Sequence, residues 1–103
     1  IKVVTESFNL SESLSDFSSD QRTKVELFKG QRVIQVRFED NGFGIDEENL
    51  DHIFEPFFTT KVAGTGLGLP MAKRVINVQG GLILVESQVD KGSVFKVILQ
   101  CQD

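Results

Sequence analysis

Apolar and polar residues alternate with a period of two over much of this chain, and that period predicts strands. Val25 and Leu27 alternate with Lys24 and Glu26, and Ile34, Val36 and Phe38 alternate with Gln35, Arg37 and Glu39. Lys29-Gly30 between them has the composition of a turn, so residues from Thr23 to Glu39 read as a β-hairpin with one buried face. Leu82–Val85 and Ser93–Gln100, where Phe95, Val97 and Leu99 alternate with Lys96 and Gln100, predict a second hairpin around Asp90-Lys91-Gly92. Between the hairpins the period changes to that of a helix. Leu69, Ala72, Val75 and Ile76 fall on one apolar face, Lys73, Arg74 and Asn77 take the other, and Pro70 suits the first turn. Gly80 is placed to supply a left-handed cap. Asp46-Glu47-Glu48-Asn49-Leu50 reads as the acid-rich first turn of a short helix with Asp46 as its cap.

The N-terminal part is less regular. Residues 1–6 read as the last turns of a helix, and Ser7 to Asp20, rich in serine and acid, as a mobile loop. Leu10, Leu14 and Phe17 have the spacing of a short amphipathic helix, with partner docking as its functional alternative. Two hairpins and one strongly amphipathic helix predict a single α/β domain, a two-layer α+β arrangement of about four or five strands with helices on one face.

Composition narrows the function classes. At 103 residues, 40% hydrophobic and 25% charged, residues 1–103 make one ordinary small domain, and nine Phe without Trp or Tyr give an aliphatic, phenylalanine-rich core. A net charge of −4 argues against nucleic acid or an anionic membrane as partner. The single cysteine, Cys101, forms no internal disulfide and fits a reducing compartment. No apolar run approaches the roughly 18–20 residues of a membrane span. The chain opens mid-pattern at Ile1-Lys2-Val3-Val4 without an initiating Met, and reads as a piece of a longer protein.

Three glycines at alternate positions, Gly64, Gly66 and Gly68, fit neither helix nor strand, since each costs backbone entropy in both. Opening directly into a helix, such a run directs free N–H groups and the positive dipole end at one spot, which favours an anion such as phosphate. A plain tight turn is the other reading. Asp40-Asn41-Gly42-Phe43-Gly44-Ile45 places a carboxylate at a strand end, where it can accept from an amino group or cap the following helix. Phe54, Phe57 and Phe58 are too apolar for a free loop and must pack on something, and residues 59–66 read as a flap that orders on binding.

These pieces together resemble the ATP-binding catalytic domain of sensor histidine kinases, in the superfamily shared with gyrase, Hsp90 and MutL. Asp40-Asn41-Gly42-Phe43-Gly44 is similar to the family's first glycine box, and Phe54-Glu55-Pro56-Phe57-Phe58-Thr59-Thr60-Lys61 to its phenylalanine box. Gly64-Thr65-Gly66-Leu67-Gly68-Leu69 is similar to the second glycine box, and Gly92-Ser93-Val94-Phe95 to the last conserved turn. The wording around the phenylalanine box and Gly-Leu-Pro is closest to the nitrogen-regulatory type. The resemblance implies a mixed sheet and an ATP site. Asp40 would accept from the adenine amino group, Gly42 and Gly44 would leave room beside the base, and Ile45 would close one side of its pocket. Ser93 would support the adenine edge, or serve as a turn hydroxyl. Thr65, Gly66, Leu67, Gly68 and Leu69 would bring the loop to the triphosphate, and Lys61 would reach a phosphate or remain a solvated loop lysine. Lys2 would face the phosphates from just beyond the asparagine box, which carries the Mg²⁺ ligand and is expected upstream of Ile1. No catalytic residue is therefore assigned in this chain. His52 is not read as the phosphorylated histidine.

The function implied is transfer of the γ-phosphoryl of ATP to a histidine on a dimerisation helix of the same protein, a homodimer, and from there to a response regulator. A cytoplasmic location follows, with membrane anchorage of the longer protein left open. The alternatives are an ATP-driven conformational clamp of the Hsp90 or MutL kind, which lacks the phenylalanine signature, and a nucleotide-binding regulatory module without transfer.

Overall fold

The computed structural model describes residues 2–17, 24–50, 52–55 and 68–101. Strands β1 (Lys2–Asn9), β4 (Arg32–Asp40), β5 (Leu82–Gln88) and β6 (Gly92–Gln100) form a sheet in the order β1-β4-β6-β5. Strands β2 (Leu14–Phe17) and β3 (Lys24–Leu27) form a separate two-stranded ribbon. Helix α1 spans Glu47–Leu50 and α2 spans Gly68–Val78, both between β4 and β5. The α/β class and the four-stranded sheet agree with the pattern of the sequence.

Four expectations are corrected. The sheet is not mixed, since β1–β4, β4–β6 and β5–β6 are all antiparallel. Strands β4 and β5 do run in the same direction across the helices, but β6 lies between them, so no parallel pair forms. Residues 2–6 are strand rather than helix, because Val4 and Thr5 find ladder partners in Arg37 and Val36. Ser7–Asn9 completes that strand and Leu14–Phe17 is β2, so of the expected serine-rich loop only residues 10–13 are irregular, 18–20 lie outside the described residues, and the helix through Leu10, Leu14 and Phe17 does not form. Lastly, β3 and β4 do not pair with each other. The turn closed by Gln31 N donating to Phe28 O is captured by the end of β1, where Gly30 N donates to Leu10 O and Leu10 N to Gln31 O. Once β1 takes β4, β3 must pair with β2.

The alternation is obeyed in β3, whereas in β4 and β6 the face of Ile34, Phe38, Phe95 and Val97 looks away from the core, with Ile34 and Phe38 exposed, and Val33 and Ile98 on the other face enter it. Val25 and Leu27 point inward from the ribbon and pack with Leu10, Val33, Leu82 and Ile98, flanked by Phe8, Leu14 and Leu84. Phe8 pairs with Val33 and Leu82 with Ile98, so this core lies between the ribbon and one face of the sheet. Leu27, Val33 and Leu82 are fully buried, each contributing about 1.5–3 kcal/mol by removal from water.

The opposite face carries Phe38, Ile83, Phe95 and Val97 and meets the apolar stripe of α2 across an open cleft of about 600 Å³. Helix α2 packs against the edge strand β5. Leu69, Ala72, Val75 and Ile76 line the cleft as the helical period requires, yet Val75 remains 56% exposed because the sheet face stands away from it. Lys73 departs from its expected polar face and is only 6% exposed. Successive 100° steps explain this, since Lys73 shares a flank with Leu69 and Ile76. The helix ends as predicted. Gly80 has φ of 79°, Gly80 N donates to Asn77 O and Gly81 N to Ile76 O, which together form a Schellman cap.

Candidate functional site

The ends of β4 and β6 meet at one corner of the sheet, where Asp40 is the register partner of Ser93. Alternation along β4 and β6 puts both on the face that carries Phe38 and Phe95. Asp40 is exposed, and its Oδ1 accepts from Gly42 N at 3.0 Å, which holds the carboxylate to the turn beyond the strand. The helix-cap alternative is not what this turn shows. Helix α1 is opened by the main chain of Asp46, whose carbonyl accepts from Asn49 N and Leu50 N.

Two glycines make that corner possible. Gly92 has φ of 115°, and a Cβ there would stand 2.1 Å from Asp40 O. Gly44 has φ of 77°, and a Cβ there would stand 2.1 Å from Gln88 O. The β4–α1 turn and the β5–β6 hairpin therefore touch backbone to backbone, with Asp90 N donating to Phe43 O. Gly44 is required for this contact between protein segments. Gly42 differs, since a Cβ there would make only an ordinary 3.4 Å contact with Asp40 Oδ1. An added Cβ at Gly42 would therefore meet the carboxylate of Asp40 and no other group within 4 Å.

Ser93 is buried, and its Oγ lies 2.7 Å from Ser87 Oγ. Ser87 Oγ also accepts from Ile45 N at 2.7 Å and donates to Gly92 O at 3.0 Å. With its one proton given to Gly92, Ser87 takes the Ser93 proton as well, and every bonding position on its oxygen is used. This hydroxyl joins the turn after β4 to both strands of the hairpin, and sequence reasoning missed it. The signal was a serine at the inward position of β5, in step with Ile83 and Val85. Ile45 is half-buried and held to β5 by this bond.

The glycine run into α2 is described from Gly68 onward. Helix α2 opens there and has no acidic residue in its first turn, so its leading N–H groups are not neutralised from within the helix. Leu69 is half-buried against the cleft. Lys61, Thr65, Gly66 and Leu67, with Phe57, Phe58 and the flap 59–66, lie outside the described residues. Lys2 is not brought to Asp40. It pairs with Glu39, and alternation puts the two on the sheet face opposite Asp40 and Ser93. His52 is exposed, with Nδ1 2.6 Å from Glu55 Oε2. Among the described residues no group of three or more His, Cys, Asp and Glu could hold a metal ion.

Known proteins resemble this chain in sequence and in fold. Residues 7–103 match the family described as histidine kinase-, DNA gyrase B-, and HSP90-like ATPase. Sporulation kinase D of Bacillus subtilis is 48% identical over 64 residues, covering 62% of this chain and 13% of that protein. The signal transduction histidine-protein kinase AtoS of Escherichia coli is 50% identical over 64 residues, covering 62% of this chain and 10% of that protein. ArlS, a signal transduction histidine-protein kinase of Staphylococcus aureus, is 36% identical over 83 residues, covering 75% of this chain and 18% of that protein. The solved nucleotide-free catalytic domain of histidine kinase ThkA superposes with a TM-score of 0.56 at 39% identity, covering 66% of this chain and 45% of that one. The chain thus spans less than a fifth of each of these curated relatives. By this match the chain belongs to the histidine kinase-, DNA gyrase B- and HSP90-like ATPases, with its likeness there to the catalytic domains of sensor histidine kinases.

Proposed function

We propose that this chain holds ATP for a protein-histidine kinase, with adenine at Asp40 and the phosphates at the start of α2. The observation that carries the reading is the corner itself. Gly92, Gly44 and the Ser87 hydroxyl fix the end of β4, and Gly42 N orients the carboxylate. An ionised acceptor so oriented suits an exocyclic amino group. The longer protein would transfer the γ-phosphoryl to a histidine on its own dimerisation helices, acting as a homodimer, and from there to a response regulator. Mg²⁺ would be held by residues outside those described here. Transfer of this kind depends on positioning and charge neutralisation. A cytoplasmic setting, where ATP is available, belongs to the same reading.

Radiolabelled ATP given to the full-length protein tests it. Acid-labile, base-stable label on the protein is expected. Phosphate release without label would overturn transfer in favour of a conformational clamp, and neither label nor release would leave a binding module.

A further inference from the structure

Lys73 and Ser93 are the buried polar residues among those described, and Lys73 has no part in the corner just discussed. Its Nζ donates to Asp16 Oδ2 at 2.7 Å and stands 5.3 Å from the centre of the Phe54 ring. An ammonium taken out of water is costly unless a carboxylate and further favourable contacts compensate it, and here a carboxylate and a π face do so. The three residues come from separate elements: Asp16 from β2, Phe54 from the turn after α1, and Lys73 from α2. A leucine or methionine beside Leu69 and Ile76 would fill the same space without desolvating a charge. Buried ion pairs add little net stability compared with apolar packing, but they impose one geometry on their partners. A helix is a stiff rod rising about 1.5 Å per residue, so an anchor five residues in from Gly68 acts only about 7.5 Å from the leading amides. Holding Lys73 at that point sets both the height and the rotation of the first turn of α2.

We infer that Lys73 is a positioning residue for the nucleotide, holding the first turn of α2 in register with the Asp40 corner through Asp16 and Phe54. The inference rests on the ATP reading above and assigns the β2–β3 ribbon a part in it. Full-length protein, titrated with a non-hydrolysable ATP analogue and unfolded thermally without nucleotide, tests it. Lys73→Met should weaken binding about tenfold, and Lys73→Arg should recover affinity to within about threefold of wild type, because the charge and its partner return. Asp16→Asn should weaken binding too, and the losses of Asp16→Asn and Lys73→Met should fail to add when combined, as expected of two ends of one contact. Variants that unfold earlier yet bind with wild-type affinity would show a merely structural pair and overturn the inference. If Lys73→Met does not fold, Asp16→Asn decides alone, since that carboxylate is 41% exposed and tolerates an amide. Wild-type protein that fails to bind the analogue overturns the ATP reading itself, whereas wild-type binding with unchanged variants overturns this inference only.

Discussion

At Asp40 the carboxylate and the groups that orient it belong to different residues. The carboxylate faces solvent, whereas its orientation is set by Gly42 N and by the backbone contact at Gly92. Asp40→Asn should therefore leave the fold intact and weaken ATP-analogue binding roughly ten- to a hundredfold, the ~1.5–3 kcal/mol of one charge-assisted hydrogen bond. Titration calorimetry beside an unfolding curve checks both halves, and loss of the fold would mean that the carboxylate is structural. Ser87 should behave in the opposite way. Ser87→Ala leaves the part-buried Ile45 N–H and Ser93 Oγ without their partner, and should cost about 1–3 kcal/mol in urea unfolding. Gly92→Ala should be worse than either, since φ of 115° disfavours any side chain and the added carbon meets Asp40 O at 2.1 Å.

Helix α2 shows how far an element can be judged from its own period. Its boundaries follow from local chemistry, with Pro70 inside the first turn and Gly80 in the cap. Its environment does not. Val75 belongs to the apolar stripe by spacing, yet it opens onto the cleft and is 56% exposed. Val75→Ser should accordingly change stability by no more than about 0.5 kcal/mol, as at an ordinary surface position. A loss of two or more in denaturant unfolding would mean that the cleft closes in solution. Lys73 is the converse case, polar by type and enclosed by its neighbours.

For the whole molecule, the ribbon is part of the fold. Leu27 and Val25 complete the core over Val33, Leu82 and Ile98, on the sheet face away from the cleft. Leu27→Ala should therefore destabilise the entire domain by about 2–5 kcal/mol, with the sheet and ribbon unfolding in one transition. Separate transitions for the two would show that the ribbon is an independent appendage. What was legible in advance rested on local rules. The period of two in β4 and β6, the turn at Asp90–Gly92 and the C-terminal cap of α2 each depend on residues close in sequence, and so does the helix start at Gly68. Strand pairing beyond the β5–β6 hairpin was not legible in this way, because a period of two states which residues share a face but never which strand lies beside it. The pairing of β4 with β1 was decided by a distant capture, the bonds from Gly30 and Leu10 at the end of β1. The same limit hid Ser87 and the Lys73–Asp16 pair, whose partners lie 42 and 57 residues apart. The sequence by itself determined which residues share a face in β3, β4 and β6, the main helix, and the residue types at the end of β4 and the start of α2. Only the tertiary structure decided which strands are neighbours and which charge is buried, because those depend on contacts between segments that no local period encodes.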